Sequence, residues 1–152
     1  MKKKLIAAAL FIVTLCASAC AQQPKPVESP LDVWVKMTDD AVTLYTQRKH
    51  KEAIALAEKA LEYAKKNFGP EHPNVAESMD NLATYLTAEG EYAKAEDLYK
   101  KALVIVEKDF GLDNEYTAIF LNYLSDFYRK IGKEDEAKKL EDRAKAIRRK
   151  NR

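Results

Sequence analysis

Two histidines, His50 and His72, a cysteine following an apolar N-terminal run, Cys20, and 24 carboxylates are the side chains with which this 152-residue chain could do chemistry. A transition-metal site needs several histidine, cysteine or carboxylate ligands converging at helical or turn spacing, and no cysteine or histidine cluster exists to supply them. Both histidines are therefore read as structural. The acids fall in mixed runs, such as Glu134-Asp135-Glu136 beside Lys133 and Lys138-Lys139, which is the pattern of a solvated face. There is no glycine-rich phosphate loop and no serine-nucleophile motif. No catalytic residue, metal or cofactor is expected, which leaves the Cys20 thiol as the one group with a distinct chemistry.

Its surroundings say what that chemistry is. Lys2-Lys3-Lys4 leads into an apolar run from Leu5 to Leu15, then into Ala17-Ser18-Ala19 ahead of Cys20. A charged start, an apolar middle and a small-residue end follow the order of an export signal, and the run falls short of the about 20 residues of a membrane span. Residues 1–19 are expected to be a signal peptide. Small residues directly before a cysteine resemble the lipobox of bacterial lipoproteins, in which the cysteine is acylated, palmitate being the typical chain, and becomes the new N-terminus. Ala17 stands where that family usually carries Leu, and the same three residues also suit ordinary signal peptidase, so a soluble periplasmic or secreted protein is the alternative. Cys16 lies inside the signal behind Leu15 and would be discarded, leaving Cys20 as a lone exported thiol. The resemblance implies lipidation at Cys20 and, with Ala21 rather than Asp after it, an outer-membrane lipid anchor facing the periplasm of a two-membrane host.

Loss of Lys2, Lys3 and Lys4 with the signal turns 26 basic side chains into 23, against 24 acidic ones, a net charge of −1. The pI near 8.4 belongs to the precursor. Such a mixed surface lacks the basic stripe of a nucleic-acid binder, and no nucleic-acid partner is expected. With Cys20 acylated there is no disulfide framework, so stability must come from helix packing. Residues 20–30 comprise the anchor cysteine and a polar, proline-rich stretch, Ala21 to Pro30, that reads as a tether. Extended at about 3.1 Å per residue, it reaches roughly 30 Å from a lipid surface.

Residues 31–152 repeat with a period of 42. Ala53, Ala95 and Ala137 coincide, as do Leu56, Leu98 and Leu140, and Ala60, Ala102 and Ala144; Phe68 falls on Phe110, Gly69 on Gly111, Leu82 on Leu124, Gly90 on Gly132 and Ile105 on Ile147. A period of this size, filled with helix formers and without strand-like alternation, predicts stacked helical hairpins, over about 31–67, 73–109 and 114–150. Ser29-Pro30 with Asp32 predicts the first helix start. Gly90 and Gly132 break the second and third hairpins, whereas the first has Arg48 at that place, so its turn is either differently shaped or strained. Gly69, Gly111, Pro70 and Pro73 end the second helices. Ala41, Ala83 and Ser125 on the first helices, with Ala53, Ala95 and Ala137 on the second, are expected where two helices cross closely. The charged last helix, with Lys138, Lys139, Glu141, Asp142, Arg143, Lys145, Arg148, Arg149 and Lys150, reads as a solvated terminal cap, contact with anionic lipid being the alternative. Trp34 is expected to seal the N-terminal end of the stack or, as the alternative, to touch the tether.

At these residues the chain resembles a known family. Phe68-Gly69-Pro70-Glu71-His72-Pro73-Asn74-Val75-Ala76, then Asn81-Leu82-Ala83, then Gly90-Glu91-Tyr92-Ala93-Lys94-Ala95-Glu96-Asp97-Leu98-Tyr99-Lys100-Lys101-Ala102-Leu103 look like the tetratricopeptide repeat in its 42-residue kinesin-light-chain form. The third copy has Glu141 where the family prefers an aromatic, and the first lacks both glycine and tyrosine at its turn. The resemblance implies an all-α, right-handed α-solenoid of three hairpins whose first helices line a concave groove. Carried over position by position, the groove residues are Thr38, Val42 and Tyr45, then Asp80, Thr84 and Thr87 with Asn81 adjacent, then Asn122, Asp126 and Arg129. Most are neutral hydrogen-bonding groups suited to a peptide backbone. With Arg129 as the groove's only cation, no carboxylate clamp is expected.

These readings converge on an exported, lipid-anchored scaffold that binds a protein partner in the periplasm, with a soluble module as the alternative. A homodimer covering an apolar groove or end is a further option. An envelope enzyme acting on peptidoglycan, or an accessory to one, is the reading from another class, and the sequence holds no catalytic constellation for it.

Overall fold

The computed structural model describes residues 28–151, and among them stand six helices and no strand. The signal, Cys20 and the tether up to residue 27 lie outside the described residues. Helices α1 (Pro30–Thr46) and α2 (His50–Phe68), α3 (Pro73–Ala88) and α4 (Tyr92–Phe110), and α5 (Glu115–Lys130) and α6 (Glu134–Lys150) form the three expected hairpins. Each helix packs on the next in sequence, α1 also reaches α3, and α3 reaches α5, so the first helices stand side by side. No described helix is long and apolar enough to cross a membrane.

Local chemistry accounts for the helix starts. Ser29 caps α1 in a reciprocal box: its Oγ accepts from the Asp32 N–H at 3.2 Å, and the Asp32 carboxylate accepts from the Ser29 N–H at 3.0 Å. Those bonds from Ser29 hold the Asp32 carboxyl below its ordinary pKa. At α3 the cap is His72, whose Nδ1 accepts from the Asn74 N–H at 3.1 Å, and at α5 it is Asn114, whose Oδ1 accepts from the Tyr116 N–H at 2.8 Å. The second helices start without a side-chain cap.

The three mid-hairpin turns are the same turn. The Lys49 N–H bonds to the Leu44 carbonyl at 3.0 Å, that of Glu91 to Leu86 at 2.9 Å and that of Lys133 to Tyr128 at 2.9 Å. The residue before each is left-handed: Arg48 at φ 62°, Gly90 at φ 82° and Gly132 at φ 79°. The first turn is thus strained rather than differently shaped, because the hydrogen-bonded geometry demands a positive φ whatever residue occupies it.

The predicted crossing residues are in the interior. Ala41, Ala53, Ala83, Ala95 and Ala137 are each at most 1% exposed, and buried Ser125 donates its hydroxyl to the Ala137 carbonyl at 2.8 Å, fastening α5 to α6. Trp34 has a further role, between two hairpins. It is buried, donates from Nε1 to Ser78 Oγ on α3 at 2.8 Å and meets Phe68 edge-on at 6.2 Å, so it joins the first hairpin to the second. Its indole N–H needs a buried partner, and Ser78 supplies one.

Candidate functional site

Side chains from α1, α3, α4 and α5 enclose a cleft of about 220 Å³, lined by Tyr45, Thr84, Thr87, Tyr99, Tyr123, Asp126, Phe127 and Lys130. Tyr45 enters from α1 with its ring stacked on buried Tyr85 at 4.7 Å and on His50 at 5.1 Å. Nδ1 of His50 lies 2.7 Å from Glu89 Oε1, which ties the first hairpin's turn to the end of α3. Thr84 and the Tyr99 hydroxyl share a hydrogen bond of 3.0 Å, and Thr87 donates to the Ala83 carbonyl at 2.7 Å. From α5 come Tyr123, Asp126 and Lys130, all exposed, above buried Phe127, whose ring stands 5.3 Å from that of Tyr99. The cleft therefore has an aromatic floor, hydroxyl walls, and one acid and one base at its α5 edge.

Of the predicted groove residues, Tyr45, Thr84, Thr87 and Asp126 meet in this cleft. Asn81 lies elsewhere, in a narrow gap with Thr38, Ala41, Ala57, Ala60 and Ser78 between the first two hairpins. Val42 is exposed on α1 and does not border the cleft. Asn122 turns toward α6, where its amide oxygen, in the orientation that satisfies both groups, accepts from both terminal nitrogens of Arg148 at 2.7 and 3.0 Å. Arg129 is paired with Asp126 at 2.7 Å and with Glu141 of α6. It is not the only cation beside the groove, since Lys130 lines the cleft and Arg129 does not. The pairing partners explain the difference: α6 brings Glu141 and Arg148 to one side of α5 and so engages Arg129 and Asn122.

Asp80 is the least expected member. It is 8% exposed, and its Oδ1 has no hydrogen-bond partner. Burial first, and the nearby Glu77 carboxylate second, push its pKa up to about 7. Burial also raises the Tyr85 phenol to about 12, and that hydroxyl too is buried without a partner. Tyr99, Tyr116 and Tyr123 have raised pKa values for the same leading reason.

Sequence reasoning missed Tyr123, Tyr99, Phe127 and Lys130 as cleft residues. Tyr123 stands 42 residues after Asn81, yet it lines the cleft where Asn81 does not. Tyr99 and Phe127 are buried core rings, and a core ring can also floor a cleft.

Both histidines have structural duties, one as a helix cap and one in the Tyr45–Glu89 link. Among the described residues no three histidine, cysteine or acidic side chains converge as metal ligands.

Comparison with known proteins gives this arrangement a lineage. No curated protein matches. Among solved structures, the chain is similar to BtubC (BKLC) from P. vanneervenii, with a TM-score of 0.72 and 24% identity over 86% of this chain and 50% of that one. It is similar to a putative kinesin light chain of Podosopora anserina with nearly identical TPR-like repeats, with a TM-score of 0.72 and 23% identity over 83% of this chain and 59% of that one. The TPR domain of Arabidopsis FLU is similar with a TM-score of 0.64 and 18% identity, over 78% of this chain and 96% of that domain. The chain thus spans about half the length of the first two, and the likeness to all three is one of fold. The family model for the tetratricopeptide repeat matches residues 41–108 and again 81–150, in register with the hairpins described above, and the chain belongs to the tetratricopeptide repeat family.

Proposed function

We propose that this protein is an exported lipoprotein, anchored through Cys20 to the outer membrane and facing the periplasm, whose three hairpins hold a segment of a protein partner in the cleft between α1, α3 and α5. Tetratricopeptide repeat domains generally serve as protein-protein interaction scaffolds rather than enzymes. The observation that carries the reading is the cleft itself. Thr84, Tyr99 and Asp126 offer hydrogen bonds to a peptide backbone, while Tyr45, Tyr123 and Phe127 offer apolar faces to its side chains. The lipid anchor is supported by the run Ala17-Ser18-Ala19-Cys20, and the outer membrane by Ala21.

Cross-linking of the full-length protein in its native envelope tests this, beside a variant carrying Tyr123→Ala and Asp126→Ala. Both side chains are exposed, so the variant keeps its core. A specific protein captured by the wild type and lost in the variant is the expected result. Capture that ignores the variant places recognition outside the cleft.

Two observations favour further readings. Ala17-Ser18-Ala19 also suits ordinary signal peptidase, and a soluble periplasmic or secreted module would result. Leu31, Val35 and Val42 form an exposed apolar stripe at helical spacing on α1, which a second copy could cover in a homodimer. Light scattering showing only monomer removes the dimer.

A further inference from the structure

We propose that Asp80, with Glu77 and the tyrosines around it, is a seat for one cationic side chain, an arginine or a lysine, of the segment that the cleft binds. The proposal rests on the groove-binding reading above and adds the chemistry of the occupant.

Four observations carry it. First, Asp80 is more than nine-tenths buried with one carboxylate oxygen unpartnered, and Tyr85, on the same helix and 3% exposed, has a buried hydroxyl likewise unpartnered. Buried polar atoms in folded proteins are almost always satisfied, and an orphan carboxylate oxygen is among the costliest to leave bare. Second, the groups that feel the Asp80 charge are all acids or phenols: Glu77 and Tyr85 from α3, Tyr99 from α4, and Tyr116 and Tyr123 from α5, with Tyr45 of α1 behind Tyr85 and Tyr99. No basic side chain is among them. Elsewhere the array pairs its acids, as in Glu107 with Arg143, Glu115 with Arg148 and Glu96 with Lys100. A buried carboxylate with an unpartnered oxygen and no internal cation is what a guanidinium or ammonium group seeks through ion pairing.

Third, the repeat contains its own precedent. Asn122 stands one period after Asp80, and there a guanidinium, that of Arg148, is bound. The residue one period before Arg148 is Val106, fully buried, so the middle hairpin has an acid in that register and no internal cation to meet it. Fourth, Asp80 stands one helical turn before Thr84 on α3, and Thr84, Thr87 and the 43%-exposed Tyr123 line the cleft, so a side chain lying in the cleft is a neighbour of the seat.

The test is an NMR titration of the full chain with n-butylguanidinium and n-butylammonium as side-chain probes and n-butanol as the neutral control. The expected result is a saturable shift of the Asp80 carboxyl and of the Tyr85 and Tyr123 ring signals with the cations alone. Asp80→Asn weakens the apparent affinity by about tenfold or more, equivalent to about 1.4 kcal/mol, and lowering the pH from 8 to 6 also weakens it, because the cation needs the ionised carboxylate. Absence of a saturable shift up to about 0.1 M probe, about a hundredfold above a millimolar Kd, or an equal response from n-butanol or from Asp80→Asn, overturns the seat and assigns the two bare atoms to buried solvent. The native-envelope cross-linking separates the two proposals. A partner lost in the Tyr123→Ala, Asp126→Ala variant but captured undiminished by Asp80→Asn overturns the seat and leaves the groove reading standing.

Discussion

Arg48 sits in a left-handed turn that its two counterparts fill with glycine, and the hydrogen bonds of all three turns are alike. A left-handed side-chain-bearing residue costs about 1 to 2 kcal/mol, while glycine gives back roughly 0.5 to 1 kcal/mol in chain entropy. Arg48→Gly should therefore stabilise the domain by about 0.5 to 1 kcal/mol, seen as a higher urea midpoint with an unchanged slope. Asp80 gives a pH dependence of known sign. Its folded pKa of about 7 lies above the ordinary value of 3.8, so the native state holds the proton more tightly than the unfolded chain. Stability associated with this group is full below pH 4, declines as pH rises toward 7, and is lost above it. Asp80→Asn should remove that decline: relative to wild type it gains on the order of a few kcal/mol between pH 4 and pH 8, in chemical denaturation at the two pH values. A constant difference between the two proteins across that range would contradict the buried, unpaired placement of the carboxylate.

Helix starts and crossings set the next scale. His72 caps α3 as Asn114 caps α5. His72→Asn should leave the melting temperature nearly unchanged, whereas His72→Ala removes the acceptor and costs about 1 kcal/mol; equal losses in both would deny the capping role. Ala95 is fully buried where α4 crosses its partner, and Ala93 two residues earlier is exposed. Ala95→Leu should cost on the order of 1 to 3 kcal/mol by overpacking and Ala93→Leu close to nothing, a contrast thermal unfolding reads directly. The same logic explains Ser125, which keeps the small volume and adds a hydroxyl bond to the Ala137 carbonyl.

For the whole molecule, the array closes its C-terminal end with charge. Arg143 pairs with Glu107, Arg148 with Glu115, Lys145 with Glu141 and Lys150 with Asp113, so most of the last helix's cations face acids of the array itself. These pairings are compatible with the solvated cap that a stacked array needs. The membrane attachment proposed above is through Cys20. Cys20→Ala is expected to move the protein from the membrane fraction to the soluble fraction of the envelope, as cell fractionation with immunoblotting would show. Retention in the membrane would place the anchor elsewhere, and a wild type already soluble would favour the periplasmic or secreted alternative.

The number of hairpins, their crossings and the first helix's Ser29 cap were readable from residues because each depends on local properties. A 42-residue period, a small side chain at each close approach, Ser29 at the first helix start and glycines at four of the turns: these act within one helix or between neighbours in sequence. Tertiary structure decided which polar groups remain for a partner. The last helix, α6, delivers Arg148 to Asn122 and Glu141 to Arg129, Trp34 finds its partner in Ser78 of the next hairpin, and Asp80 loses its solvent on packing. In each case the deciding group is brought from another helix, so only the packed array determines whether a side chain is satisfied, buried or free.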